Sequence, residues 1–328
     1  WSCIAEDSSA CPQPRGVSVR MSVCPDPMTA VPRAADEEAL RDLNFYLLDA
    51  DGNVVQHRYQ SSPTLRFECL PGNYLLRIAA NMGRDLGENP ASEDFTVTHA
   101  DEYDTLPMSY EGEVSIPSSD ETVTLPTVEV QRVVAKITYN ISVAPDAGDI
   151  RLHSVQPVNL PARVPVFDPG LRAAEYTAGE IVGSSSQTLT GTFYMLPNLQ
   201  GEVPSIADQR DKGPANAPAD ATFLRIRALR GSKVLDYYIY PGGNNTSNFD
   251  IRANTHYRLD IMIRGDAEVD TRIRAYTVEV LCTPEAALSN GFLLERQPMR
   301  LTLRLGGAYE EAGVEAFVEL KTGDVRYF

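Results

Sequence analysis

Five cysteines are the residues best suited to covalent chemistry in this chain. They are Cys3, Cys11, Cys24, Cys69 and Cys282. No pair has the Cys-x-x-Cys spacing and no histidine stands at zinc-finger distance from them, so a structural zinc site is not predicted. Because the count is odd, one interpretation is that Cys3 is lipidated and that Trp1-Ser2-Cys3 is the end of a lipoprotein signal. A local disulfide such as Cys3–Cys11, or free thiols, are the alternatives.

The sequence lacks the common motifs of enzymatic chemistry. It contains no Gly-rich phosphate loop, no His-Glu-x-x-His and no Gly-x-Ser-x-Gly. Four histidines, at positions 57, 99, 153 and 256, are scattered along the chain. We predict that the protein is not an enzyme and uses no cofactor. A hydrolase would instead require a concave pocket with clustered carboxylates, whose spacing the fold sets.

The run 49–53 (DADGN) looks superficially like a calcium loop. Its glycine stands at the fourth position rather than the sixth, and no glutamate follows at the required distance. An Asp-Gly or Gly-Asn pair instead supplies the positive φ of a tight reversal. We therefore interpret the run as a hairpin turn and predict no metal.

The formal net charge of -16 limits the possible partners. An acidic chain repels phosphate backbones, so nucleic-acid binding is not expected. The same charge argues against adsorption to anionic lipid by charge alone. No stretch approaches the roughly 18 consecutive apolar residues that span a bilayer. Membrane attachment would therefore need a covalent lipid or a removed segment.

The elements that would position any site are strands. Val17, Val19, Met21 and Val23 alternate with polar residues, which is typical of a half-buried strand. Apolar runs predict further strands at 43–48, 65–70, 74–80, 94–98 and 121–125, with 65–70 and 74–80 joined as a hairpin by the Pro-Gly-Asn turn at 71–73. We assign residues 1–16 to a tether and 17–127 to an N-terminal β-sandwich domain.

The alternation begins again at 128–143, which predicts one long strand of a second sandwich. Similar patterns predict strands at 150–157, 187–196, 222–229, 233–240 and 255–264. We assign 128–266 to a second β-sandwich domain and 267–328 to a smaller C-terminal β extension or partial third domain. Since no segment has a convincing 3.6-residue period, the predicted class is all-β, with two tandem sandwiches.

Four segments, taken in order, resemble the fimbrillin superfamily of type V pili in Bacteroidota. Residues 3–12 resemble the acylated start of its lipoprotein members, in particular the fimbrial anchor subunits, and 32–49 resemble the opening of the mature pilin. Residues 131–137 are similar to the first strand of the second domain. Residues 238–259 are similar to its closing strands.

This resemblance implies two transthyretin-like β-sandwich domains, lipidation at the outer membrane and assembly by strand exchange. It also implies an arginine-specific protease, for which the matching bond is Arg33–Ala34. Cleavage there would free the strand that carries Val17, Val19, Met21 and Val23 and would open a groove. The implied partners are other pilus subunits, an outer-membrane lipid anchor and a host or bacterial surface ligand.

The predicted function is therefore a structural and adhesive pilus subunit at the cell surface. The segment after Gly265 departs from the simple two-domain pattern and leaves anchor, stalk and tip positions open. The alternative is a monomeric surface lipoprotein that binds carbohydrate or protein through an exposed aromatic platform. Trp1, the only tryptophan, lies in the predicted tether, which disfavours that alternative.

Overall fold

A computed structural model describes residues 15–26, 35–184, 186–231, 233–265, 270, 272–284 and 299–307. The predicted lipidation at Cys3, the bond Arg33–Ala34 and all but the last two residues of the tether lie outside these ranges. Strands dominate, which confirms the all-β class. Short 3-10 helices span Ala35–Glu38, Ser92–Phe95 and Gln209–Asp211. Within the described ranges, no helix has the length and hydropathy to cross a membrane.

The N-terminal part is built around one large sheet. The strands of this part are β1 (Val17–Pro25), β2 (Leu43–Leu48), β3 (Val54–Gln60), β4 (Thr64–Cys69), β5 (Gly72–Ala80), β6 (Thr96–Thr98), β7 (Met108–Ile116), β8 (Val123–Thr124) and β9 (Val128–Arg132), and all except β6 belong to the large sheet. The order in the sheet is β3-β2-β5-β7-β9-β1-β4, with β8 beside β1. The apolar faces of these strands enclose a core that includes Phe45, Phe67 and Ile78.

The hairpin predicted around residues 71–73 is wrong. Although β4 and β5 are consecutive, β4 pairs with β1, whereas β5 pairs with β2 and β7. Phe67 on β4 and Ile78 on β5 are both buried in the same core. The turn therefore connects two strands that belong to different ladders. Burying the apolar faces of both strands in one core stabilises the fold more than pairing the two consecutive strands with each other would.

The second part contains two further sheets. Its strands are β10 (Ala135–Val143), β11 (Arg151–Val158), β12 (Leu160–Pro161), β13 (Arg163–Pro165), β14 (Tyr176–Thr177), β15 (Val182–Gly183), β16 (Thr188–Met195), β17 (Phe223–Arg230), β18 (Lys233–Ile239) and β19 (His256–Ile263). One sheet has the order β16-β10-β19, and the other begins β15-β11-β17-β18. Two small pairs, β12 with β14 and β13 with β6, complete the set. The strands predicted at 150–157, 187–196, 222–229, 233–240 and 255–264 correspond to β11, β16, β17, β18 and β19, whereas the short strands β12 to β15 were not predicted.

The single long strand predicted at 128–143 is in fact two strands. Val133 and Val134 are both buried in the N-terminal core, so the alternation breaks there. As a result β9 joins β1 and β7, while β10 joins β16 and β19. The boundary predicted at 127/128 therefore falls before a strand of the N-terminal sheet. The same core also takes in Leu196 from the second part.

The C-terminal region continues the second sheet. Strands β20 (Ile273–Pro284) and β21 (Met299–Gly307) are its last members, so its order is β15-β11-β17-β18-β20-β21. β20 pairs with β18 over 273–277 and with β21 over 276–284. In the described residues, the far half of β20 thus runs beyond the end of its ladder with β18. The assignment of 267–328 to a β extension or to a partial third domain stays a prediction.

Candidate functional site

Strand β1 is an interior strand of the N-terminal sheet. It pairs antiparallel with β4 over residues 17–22. On its other side it pairs parallel with β8 at 19–20 and with β9 at 23–25. All three partners come later in the chain, so β1 precedes in sequence every strand with which it pairs. The sheet is continuous only while β1 occupies this position.

The inward face of β1 is fully buried. Val17, Val19, Met21 and Val23 are each 4% exposed or less and belong to the N-terminal core. Burying four such side chains stabilises the seated strand by roughly 6–12 kcal/mol before entropy, which is an upper bound. The predicted half-buried strand is confirmed. The role of these four residues in strand exchange stays a prediction.

A groove of about 720 Å³ opens beside β1, between β7 and β9. In the described sheet these two strands pair only at Met108–Arg132 and Ser109–Gln131. Beyond that point no described strand pairs with the edge of β7 on this side. Met21 and Val114 line the groove, together with the carboxylates of Glu111, Glu113 and Glu129. An unpaired edge beside apolar side chains is the geometry that accepts an added strand.

Arg132 holds both flanks of the segment that contains the predicted cleavage bond. It is 1% exposed. Its Nη1 donates to the carbonyl of Asp26 (3.0 Å), directly after β1. Its Nε and Nη2 donate to the carbonyl of Glu37 at 3.0 and 2.9 Å. Because one guanidinium satisfies both carbonyls, Arg132 fixes the exit of β1 relative to the chain that follows Arg33–Ala34.

The same cluster joins the N-terminal sheet to the second part. Asn254, which precedes β19, accepts from Arg132 Nη1 (3.1 Å) and donates to the carboxylate of Asp26 (2.9 Å). Asn254 has a φ of 52°, a region that asparagine tolerates better than most residues. The C-terminal end of β1 is therefore tied to the loop before β19.

Glu37 supplies the buried carboxylate of this cluster. It is 8% exposed. Its Oε1 accepts from Lys136 Nζ (2.5 Å) and from Tyr194 Oη (2.7 Å). Burial would raise the pKa of Glu37, but the hydrogen bonds from Lys136 and Tyr194 and the charges of Lys136 and Arg132 outweigh it, so the pKa is lowered. Burial, together with Glu37, raises the pKa of Tyr194.

Two of the five cysteines are described as free thiols. Cys24 lies near the end of β1, and Cys69 lies opposite Val17 in the β1–β4 ladder. Burial raises the pKa of Cys69. Burial also raises the pKa of Cys24, where Glu129 and Asp26 add to the effect. Both thiols are thus weak nucleophiles at neutral pH. Cys3 and Cys11 lie outside the described residues, and for Cys282 only the backbone in β20 is described.

The structure brings together some of the residues predicted as a site and adds others. The four apolar residues of β1 share one face, as predicted. Arg33 and Ala34 lie outside the described residues, between the flanks that Arg132 holds. Sequence reasoning missed Arg132, Glu37 and Asn254. No local signal marks them, because their partners are up to 228 residues away in sequence.

Comparisons with known proteins give the fold a context. Residues 193–261 match a family profile described as a domain of unknown function (DUF4906). A search of curated protein sequences gives no match. The profile covers β17, β18 and most of β19, so it describes only part of the second half of the chain.

The structural neighbours of this chain are Bacteroidota fimbrial proteins. The C-terminally truncated tip fimbrial protein Mfa3 from Porphyromonas gingivalis is 17% identical with a TM-score of 0.51, covering 88% of this chain and 99% of that one. A candidate cell adhesion protein from Bacteroides eggerthii is 13% identical with a TM-score of 0.53, covering 89% and 96%. A fimbrilin (FimA) from Porphyromonas gingivalis is 13% identical with a TM-score of 0.50, covering 79% and 95%. At these identities the likeness shows a common fold.

Proposed function

We propose that this protein is a structural and adhesive subunit of a bacterial cell-surface pilus. In this proposal it is exported as a lipoprotein acylated at Cys3, and it assembles with other subunits by strand exchange. The observation that carries the proposal is β1, the first described strand of the sequence, which is an interior strand of its sheet and has four buried side chains. The fold shared with a tip fimbrial protein and a fimbrilin supports it.

Exchange requires that β1 can leave without unfolding the rest of the sheet. Cleavage of Arg33–Ala34 would remove the covalent link between β1 and β2. After cleavage, β1 would be held in the sheet by its ladders with β4, β8 and β9 and by the contacts of Asp26 with Arg132, Asn254 and Val130. A strand from a second subunit with the same apolar alternation would form the same ladders and fill the same core positions.

The donor in this proposal is the C-terminal hairpin of β20 and β21. Its backbone extends beyond the ladder with β18, so among the described strands its far part is paired only within the hairpin. The sequence of β21, MRLTLRLGG, places an apolar residue at every second position from Met299 to Leu305. That period matches the period of β1.

The test begins with the intact protein and an arginine-specific protease. Mass spectrometry should detect cleavage after Arg33 and loss of the fragment that carries β1. Size-exclusion chromatography with light scattering should then show polymers, which electron microscopy should resolve as filaments. The uncleaved protein should stay monomeric in the same buffer.

Two variants make this test specific. Arg33→Gln should block both cleavage and assembly, whereas Arg15→Gln, which alters the arginine just before β1, should leave both unchanged. The exchange proposal is wrong if the fragment dissociates and the remaining protein neither polymerises nor binds a peptide that spans residues 273–307. Lipidation is tested separately by the intact mass of membrane-extracted protein and by Cys3→Ala.

The alternative of a monomeric binding protein calls for an exposed aromatic platform. Among the described residues, Tyr59 is the one aromatic side chain of high exposure, at 42%. A single ring does not make a platform for stacking sugars. The described surface therefore favours the pilus subunit over an aromatic carbohydrate site.

A further inference from the structure

Three arginines converge on a groove beside the solvent face of β1. They are Arg20 on β1, Arg58 on β3 and Arg66 on β4, and the groove has a volume of about 680 Å³. Glu68 is the one carboxylate that lines it. The other polar groups there are hydroxyls and an amide, from Ser18, Gln56, Thr122 and Thr124. A local excess of positive charge thus stands on a chain whose net charge is -16.

The arrangement of these arginines is electrostatically unfavourable for the protein alone. Arg20 lies directly opposite Arg66 in the β1–β4 ladder. Like charges in directly opposed positions destabilise a sheet. Across the part of the chain that the structure describes, none of the three guanidinium groups takes part in an ion pair. The cluster therefore has unused capacity to bind an anion.

We propose that this groove binds an acidic saccharide, meaning a sugar that carries sulfate or carboxylate groups. Guanidinium groups bind such oxyanions through paired N–H donors, and three of them match a ligand with several anionic groups. The hydroxyl and amide side chains suit the uncharged hydroxyls of a sugar. The volume lies within the usual range for small-ligand sites, roughly 300–1,000 Å³.

The site would also be coupled to the position of β1. Arg20 belongs to β1, whereas Arg58 and Arg66 belong to β3 and β4. A ligand that contacts all three binds the state with β1 in place and therefore stabilises that state. This inference goes beyond the proposed function and does not depend on it, because it needs only the seated strand of the present structure.

Calorimetry with sucrose octasulfate on the intact protein tests the proposal. We expect saturable binding that weakens when NaCl is raised from about 0.05 to 0.3 M, because exposed charges are screened. Neutral sucrose should not bind. Inorganic sulfate at the same total sulfate concentration, and a poly-glutamate peptide of equal charge, should bind at least tenfold more weakly. Equal binding of either anion would overturn the assignment to a saccharide.

Substitutions identify the groove as the site. Arg58→Gln and Arg66→Gln should each weaken binding roughly tenfold, as the loss of a charge-assisted contact does. Arg151→Gln, on an exposed residue of β11 outside the groove, is the matched control and should leave binding unchanged. Unaltered affinity in an Arg20→Gln, Arg58→Gln, Arg66→Gln triple variant would contradict the proposal.

Two further readouts separate binding from folding. Arg66→Gln relieves the opposition to Arg20, so its melting temperature should equal or exceed that of the wild type while its affinity falls. Hydrogen exchange should show that sucrose octasulfate increases protection of residues 17–22. Unchanged protection of β1 at saturating ligand would show that the ligand does not bridge Arg20 to its neighbours and would refute the coupling.

Discussion

Two strands of this molecule look alike in sequence but are held very differently. Both β1 and β10 alternate apolar and polar residues, and both have one parallel and one antiparallel side. β10 is paired with β16 over 135–142 and with β19 over 136–143. β1 is paired with β4 over 17–22, but its other side is divided between β8 at 19–20 and β9 at 23–25.

This difference separates burial from anchoring. The inward side chains of both strands are buried to a similar degree, so hydrophobic stabilisation per residue is comparable. The main-chain ladder beside β1 is interrupted, and a groove opens next to it. β10 is continuous with β9 through two buried valines, whereas β1 connects onward through the segment 27–34. A strand can therefore be well buried and still be the replaceable member of its sheet.

The largest expected effect comes from truncating one core side chain in each strand. Met21→Ala and Ile141→Ala should each remove about 2–5 kcal/mol of local stabilisation. For Ile141→Ala the loss should appear in the global free energy of unfolding, measured by urea titration. For Met21→Ala it should appear mainly as faster hydrogen exchange within β1. Equal losses of global stability, with β1 exchanging only by global unfolding, would show that the two strands are anchored alike.

The second effect concerns the anchor at the end of β1. Arg132→Lys keeps the charge but cannot reach the carbonyls of Asp26 and Glu37 together, so we expect a loss of about 2–3 kcal/mol. Arg163→Gln, at an exposed residue of β13, is the control and should change stability by less than about 0.5 kcal/mol. Thermal unfolding of the wild type, Arg132→Lys and Arg163→Gln measures these changes in stability. A variant as stable as the wild type would mean that Arg132 does not hold β1.

The third effect is a pH dependence from Glu37. Its pKa in the folded state is lowered, so the ionised carboxylate stabilises the fold above its ordinary value of 4.5. That contribution is lost as the pH falls through the folded-state pKa. Glu37→Gln should cost about 1 kcal/mol near pH 7, and this cost should shrink below pH 4.5. A difference that stays constant down to acid pH would exclude Glu37 as the titrating group.

The smallest effect is a change in thiol reactivity at Cys69. Burial raises the pKa of this thiol, so alkylation at neutral pH should be slow, and its rate should keep rising above pH 9. Because Cys69 lies opposite Val17, removal of β1 should expose it and speed its alkylation several-fold. Peptide mapping distinguishes it from the other cysteines. Cys69→Ser should abolish the signal of the alkylated peptide. An unchanged alkylation rate after loss of β1 would contradict the placement of Cys69 opposite Val17.

The sequence predicted the strands whose burial follows a simple alternation. The inward faces of β1 and β10 and of the strand carrying Leu224 and Ile226 could be predicted because apolar side chains at every second position settle which face is buried. The β7 strand was not predicted. Its inward face includes Gly112, which the ring of Tyr110 covers, so the apolar pattern is interrupted.

Other features depend on distant contacts that no local pattern reveals. The turn at 71–73 has the residues of a hairpin, yet the choice of partners for β4 and β5 is made by the shared core. Arginine is usually a surface residue. Arg132 is buried because carbonyl oxygens 95 and 106 positions earlier in the sequence accept hydrogen bonds from its guanidinium group. The convergence of Arg20, Arg58 and Arg66 likewise requires that β3, β4 and β1 border one groove.

The antiparallel ladder between β1 and β4 has a mechanical consequence for any strand that occupies the β1 position. Its hydrogen bonds lie perpendicular to the strand axis. A pull directed along that axis loads them all together, in shear, instead of opening them one after another from an end. A filament joined through such a ladder would resist tension along its length far better than peeling from the side.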